Sequence, residues 1–168
     1  REETPLFYLL RNDAEWGLGE FKMLGGKVRI FQADPQGSTI FLGEDWLSDL
    51  PVKEKAELSL GMARDVVVKR RLFKDERTNI RRTPRGQIVL SDRVMQMRYE
   101  IENFKKEPVT LKIVEPMQDH WRVESLTGGL KSRWERKDNA TLELYIDLPA
   151  KGEKQIVDLN YVKENQLQ

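Results

Sequence analysis

The chain has 168 residues, 39% of them hydrophobic and 34% charged, with a net charge of +1 and no cysteine. That length supports one large domain or two small β domains, and the mixture is that of a globular chain with a wet surface. Disulfides, zinc–thiolate sites and thiol nucleophiles are excluded, no apolar run approaches the roughly 18 residues of a spanning helix, and no global field points to a polyanion.

The chain opens on Arg1-Glu2-Glu3, not on a basic segment leading into an apolar core, which fits a mature form or a piece of a longer protein. "PLFYLL", Pro5 to Leu10, is the most apolar stretch and has the length of a strand. In "GKVRIFQA", Val28, Ile30 and Gln32 share one face, and Lys27, Arg29 and Phe31 the other. Asp34-Pro35-Gln36-Gly37 then reads as a hairpin turn. Val52 to Leu60 tolerates a helix, but "KAELSL" alternates Ala56, Leu58 and Leu60 with Glu57 and Ser59, so a strand is expected. A boundary near Gly61 would divide 1–61, with short Gly-rich strands, from 62–168, with stronger ones; the alternative is one all-β domain over 1–168.

The next two runs predict a long hairpin: "DVVVKRRLFKDER", a tip near "TNIRRTPRGQ" that includes the turn residues Pro84-Arg85-Gly86, and "IVLSDRVMQMRYEIEN". Met95, Met97, Tyr99 and Ile101 form its apolar row, opposite Gln96, Arg98, Glu100 and Glu102. Arg64 to Arg98 holds 11 basic and 4 acidic residues, net +7, while the rest of the chain is net −6. Asn103 to Pro108 is the turn into "VTLKIVE", where Val109, Leu111 and Ile113 face one way, and Pro108, which has no N–H, suits a strand start. "WRVES", "TLELYIDL" and "QIVDLNYVK" repeat the alternation, separated by turns at Thr127-Gly128-Gly129, Asp138-Asn139 and Pro149 to Gly152. Many short strands without a long 3.6-residue period predict an all-β antiparallel β-sandwich, immunoglobulin-like in its C-terminal part, with a long basic β-hairpin.

Residues that could carry chemistry are sparse. His120, with Asp119, Glu115 and Glu124 nearby in sequence, is the sole histidine and reads as a loop residue at a strand entrance. Gly17-Leu18-Gly19 and Gly25-Gly26 lack the spacing of a phosphate loop and read as turns. Glu44-Asp45 and Asp75-Glu76 are sequence neighbours, so on strands they point to opposite faces. No catalytic residue, metal ligand or cofactor is assigned. The cluster Lys69, Arg70, Arg71, Arg77, Arg81, Arg82 and Arg85 either blunts an exposed strand edge or meets an acidic partner, with Phe73, Tyr99 and Trp134 available to interleave. No RNA- or DNA-binding signature accompanies it, and nucleic acid is not expected. Trp16, Trp46, Trp121 and Trp134 are expected in core or semi-core positions, Trp121 as an anchor between sheets, with an exposed binding aromatic as the alternative for Trp134, which has charges on both sides.

Four stretches resemble one family at matching spacings: Arg11–Asp45, Leu58–Arg71, Tyr99–Glu124 and Leu148–Lys163. The family is the C-terminal domain of unknown function of the mucoidy inhibitor A-like proteins. Its pattern resembles Asn12 with Gly17-Leu18-Gly19, Gly26-Lys-Val-Arg-Ile-Phe, Leu42-Gly-Glu-Asp, Gly61 with Asp65-Val66, Asn103 with Pro108-Val109, and a closing Pro149–Gly152 strand entry. Leu24-Gly25-Gly26 stands where the family has Pro-Ala-Gly. The resemblance implies an all-β C-terminal domain, preceded in larger members by an N-terminal β domain and coiled coils. It implies no reaction and favours a bacterial protein of the periplasm or cell surface. The expected function is a non-enzymatic interaction or structural domain, contacting a protein partner, other segments of the parent chain or another copy of itself. A carbohydrate- or anionic-polymer-binding module using Trp134 or Trp46 is the alternative, and an enzyme with a cleft of carboxylates comes third.

Overall fold

A computed structural model describes residues 4–33, 37–118 and 120–167. The expected Asp34–Gly37 turn falls at residues 34–36 outside the described residues, as does Asp119. The described chain is almost entirely antiparallel strand: β1 (Thr4–Arg11), β2 (Gly26–Ala33), β3 (Thr39–Leu47), β4 (Lys55–Ala63), β5 (Val66–Arg82), β6 (Ile88–Asn103), β7 (Val109–Pro116), β8 (His120–Gly128), β9 (Ser132–Asp138), β10 (Thr141–Leu148) and β11 (Gln155–Leu167). One 3-10 turn, Ala14–Trp16, interrupts the series. The strands divide into two compact units, Glu3–Arg64 and Asp65–Gln168. Gly61 itself lies within β4, a few residues before that division.

The C-terminal unit is a sandwich of two sheets, in the orders β5-β6-β11-β8 and β7-β10-β9. Period-two alternation builds its core. Met95, Met97, Tyr99 and Ile101 of β6 and Val157, Leu159 and Tyr161 of β11 face Leu142, Leu144, Ile146 and Leu148 of β10, all of them buried. The strand count and two layers match an immunoglobulin-like sandwich, but the connectivity differs. An immunoglobulin domain sets its fifth strand between the second and fourth, and its seventh beside the sixth. Here the last strand, β11, lies between β6 and β8, and β9 lies beside β10. The reason is local: Asn139-Ala140 joins β9 to β10 as a tight hairpin, with Ala140 N–H donating to Asp138 at 2.7 Å, so these two strands share a sheet.

Two buried asparagines organise the loops. The Asn103 amide donates to the carbonyls of Glu107 (3.1 Å) and Pro149 (2.8 Å) and accepts from Lys105 N–H (3.0 Å). It thereby ties the β6–β7 turn to the β10–β11 turn. In the N-terminal unit the Asn12 amide donates to the carbonyls of Phe21, Leu50 and Pro51 and accepts from Gly19 N–H, all within 3.2 Å. Gly19 has φ +92, and a Cβ there would lie 2.8 Å from the Ala14 nitrogen, so only glycine closes this loop without strain. The unit pairs β1 with β4 and β2 with β3 over a small core of Leu47, Leu50 and Leu58, with Leu10, Met23, Val28, Ile30 and Ala56 packed against it.

Leu144 is fully buried, whereas Val114 on the outer face of β7 is half-exposed. Leu144→Ala is expected to cost about 2–5 kcal/mol and Val114→Ala under about 0.5 kcal/mol. Urea unfolding of both variants checks the register, and equal losses would contradict it.

Candidate interaction surface

β5 and β6 have 17 and 16 residues, against 8 each for β7 and β10. The apolar row of β6 ends at Met95, and beyond it the same parity carries Arg93, Ser91 and Val89. β5, β6 and β11 nevertheless stay paired to Arg82, Ile88 and Leu167, forming a three-stranded tongue with β5 at its edge. The tongue is stitched at Asp92 of β6. Its carboxylate accepts from the Asn79 side chain of β5 at 2.7 Å and from Asn165 N–H of β11 at 2.9 Å. Both asparagines have left-handed backbones, φ 49 and 53, at breaks in the pairing register. The Asn79 and Asn165 bonds, in that order, hold the Asp92 carboxyl below its ordinary range. The tip closes as a three-residue loop with Pro84 leading and Gly86 at φ 82. Gly86 N–H donates to Thr83 at 2.8 Å, and Arg82 donates to the Gly86 carbonyl at 3.0 Å.

The basic residues separate by location. Arg81, Arg82 and Arg85 are exposed at the tip. Arg77 stands opposite Arg93, whose guanidinium is engaged by Asp75. Lys69 and Arg71 lie nearer the sandwich, in register with Glu100 and Arg98. There Arg98 makes a two-pronged pair with Asp158 (2.8 and 2.9 Å) and covers the ring of exposed Phe73 at 3.8 Å. Glu100 binds Lys154 first, with Arg71 at 4.0 Å, and its carboxyl is held below the ordinary range mainly by the Lys154 bond.

Arg70 has a different role. It continues the inward parity of Val66 and Val68 and crosses to the opposite sheet. Its Nε and Nη2 donate to the two carboxylate oxygens of Glu115 at 2.6 and 2.8 Å. Tyr99 Oη donates to the same carboxylate at 2.6 Å. The Glu115 side chain is 3% exposed and that of Arg70 37%, so this is a clasp with one wet end. Tyr99 is accordingly core, not a stacking group for the tongue. Period-two counting places Glu115 inward, since it extends the row Val109, Leu111, Ile113 by one step, but does not name the partner it meets on the opposite sheet. The opposite side of the sandwich is closed by Trp121, which is buried as expected of an anchor. Its indole donates to the Asn139 carbonyl at 2.7 Å, and Arg136 covers the ring at 3.8 Å while donating to the Trp121 carbonyl.

Trp134 sits on β9, in register with Leu144 and 40% exposed, in the other sheet from the tongue's strands. Trp16 and Trp46 depart from the expected semi-core packing, at 63% and 72% exposed. Trp46 shares the outer face of its two-stranded sheet with Lys27, whose ammonium is 5.7 Å from the ring. His120 is exposed at the start of β8, opposite Glu164. Among the described residues no three His, Asp or Glu side chains converge on a point. A shallow depression of about 590 Å³ lies over Pro108–Thr110, Gly129–Lys131 and Asp147–Pro149. Asp147 is its carboxylate, taken up by Thr110 at 3.0 Å and Lys131 at 3.9 Å. No described helix is long and apolar enough to cross a membrane. Comparison with protein-family models, curated proteins and solved structures gives no match.

Glu115→Gln removes the charge that Arg70 and Tyr99 address and is expected to destabilise the chain by about 1–3 kcal/mol, toward the lower end because Arg70 keeps water; a melt that matches wild type would count against the clasp. Burial, then the Glu115 charge, pushes the Tyr99 phenol far above its ordinary 10.0. The folded state therefore holds a proton that the unfolded chain releases. The stability that Tyr99 contributes is complete below pH 10.0 and falls as pH rises beyond it. Urea midpoints measured up through that range should decline, and Tyr99→Phe should flatten the decline.

Proposed function

We propose that the chain is a non-enzymatic all-β interaction domain of a larger protein and that the tongue receives an acidic segment of a protein partner or of the parent chain. The observation that carries this reading is the display of Arg81, Arg82 and Arg85, exposed together at the tip of a three-stranded extension. Cations on an edge strand also discourage unwanted strand pairing. A rigid tongue stitched at Asp92 goes further than edge protection needs, because it fixes the relative positions of the tip charges. The resemblance to the mucoidy inhibitor A-like C-terminal domain supports placement in a larger bacterial protein of the periplasm or cell surface. Several residues that carry it, Asn12, Gly19 and Asn103, hold loops in place, which suits a family built around a shared scaffold. The alternative is a carbohydrate- or anionic-polymer-binding module, favoured by the openness of Trp46 beside Lys27.

Titration of a fluorescent oligoglutamate peptide at low and high salt tests the first reading. Binding that weakens with salt, and by about tenfold or more in Arg81→Glu/Arg82→Glu, is the expected result. Absence of binding at low salt, or binding indifferent to the double substitution, would remove the tongue as the contact surface. Glycan binding lost in Trp46→Ala would establish the alternative in its place.

A further inference from the structure

We infer that a second copy of this chain pairs along the open edge of β1. Among the described residues, β1 bonds to β4 on one side and carries no strand on the other. Its sequence is that of a strand covered on both faces. Phe7 and Leu9 lie on one face, in register with Ser59 and Glu57, and Tyr8 lies on the other, in register with Leu58. Yet the three are 45%, 43% and 50% exposed. A strand with apolar side chains on both faces and a bare ladder of backbone groups is a template for another strand.

Charge selects the partner. β1 holds a single charged residue, Arg11 at its end, and none from Thr4 to Leu10, whereas every other described edge strand holds at least two. β5, with seven cations and two carboxylates, would repel its own copy. From Leu6 to Leu10, β1 is also free of the devices that keep edges apart, its one proline, Pro5, lying just before that stretch. The register break with β4 places the extra residue, Leu60, on β4, so β1 runs unbulged from Leu6 to Leu10. Two β1 strands set antiparallel about a two-fold axis bring no like charges together, extend β4-β1 to four strands, and give Phe7, Tyr8 and Leu9 apolar cross-strand neighbours on both copies. The contact is isologous and therefore closes at two chains. It also addresses a weakness of the N-terminal unit, since a two-stranded sheet over three buried leucines is marginal alone.

Light scattering on the whole chain tests the pairing. The wild type is expected at twice 19.7 kDa and unmoved by salt. Leu9→Lys and Leu9→Glu should each weaken association by more than about a hundredfold, since each places two like charges at the seam. Circular dichroism confirms that both variants are folded, and an equimolar mixture should return to the dimer. Hydrogen exchange on the wild type covers the case in which the charged variants unfold: alternate amides between Leu6 and Leu10 should gain protection as concentration rises. A wild-type mass of 19.7 kDa at all concentrations overturns the inference, as does an open-ended aggregate. So does a dimer that Leu9→Lys leaves intact, that salt or Arg81→Glu/Arg82→Glu dissolves, or whose β1 amides exchange independently of concentration. None of these outcomes bears on oligoglutamate binding by the tongue.

Discussion

The C-terminal sandwich depends on a carboxylate placed where an apolar side chain would be expected. Glu115 continues the inward row of β7, and Arg70 continues the inward row of β5. Each would be costly to bury alone. Together with Tyr99 they satisfy the carboxylate from three donors, joining one sheet to the other at the edge the two strands share. An ion pair of this kind is weak evidence for stability, because well-packed hydrophobic side chains often do as well. Its geometric demand is strict, however. A fork of two guanidinium donors meets both oxygens only in one register and one spacing of the sheets. Trp121 and Arg136 close the other side with an aromatic–cation contact, so both open flanks are held by directional contacts around a non-directional core.

The two units solve the burial problem unequally. In the C-terminal unit, rows from β6, β10 and β11 bury every second side chain. In the N-terminal unit the central element is polar: Asn12 ties two loops together, holding the Phe21, Leu50 and Pro51 carbonyls and the Gly19 N–H. Around it the apolar side chains of β1, β2 and β3 stay in contact with solvent, including Phe31 and Phe41 with ring centres 5.4 Å apart. Exposed apolar groups in that number mark surfaces meant to be covered.

The described surface divides into two kinds of contact chemistry. The tongue offers cations spaced by a stitched backbone, suited to an acidic ligand and sensitive to salt. The β1 edge offers uncharged backbone and apolar side chains, suited to its own copy and insensitive to salt. They lie in different units, so the two readings stand or fall separately.

Period two, turn residues and charge blocks by themselves determined the all-β class, the rows of the core and the length and basic character of the β5–β6 hairpin. These are local properties: each strand's inward set follows from alternation, whatever the strand later pairs with. Tertiary structure decided what alternation cannot express. Pairing partners are chosen by the whole sheet, so the exchange of β9 and β11 relative to an immunoglobulin order was hidden in the sequence. Arg70 looked like its neighbours Lys69 and Arg71, and only the arrival of Glu115 from another sheet separated an internal clasp from surface charge. Trp46 and Trp16 looked like core residues because tryptophan usually is one; Trp46 is exposed on the outer face of a sheet two strands wide, and Trp16 on a 3-10 turn outside any sheet.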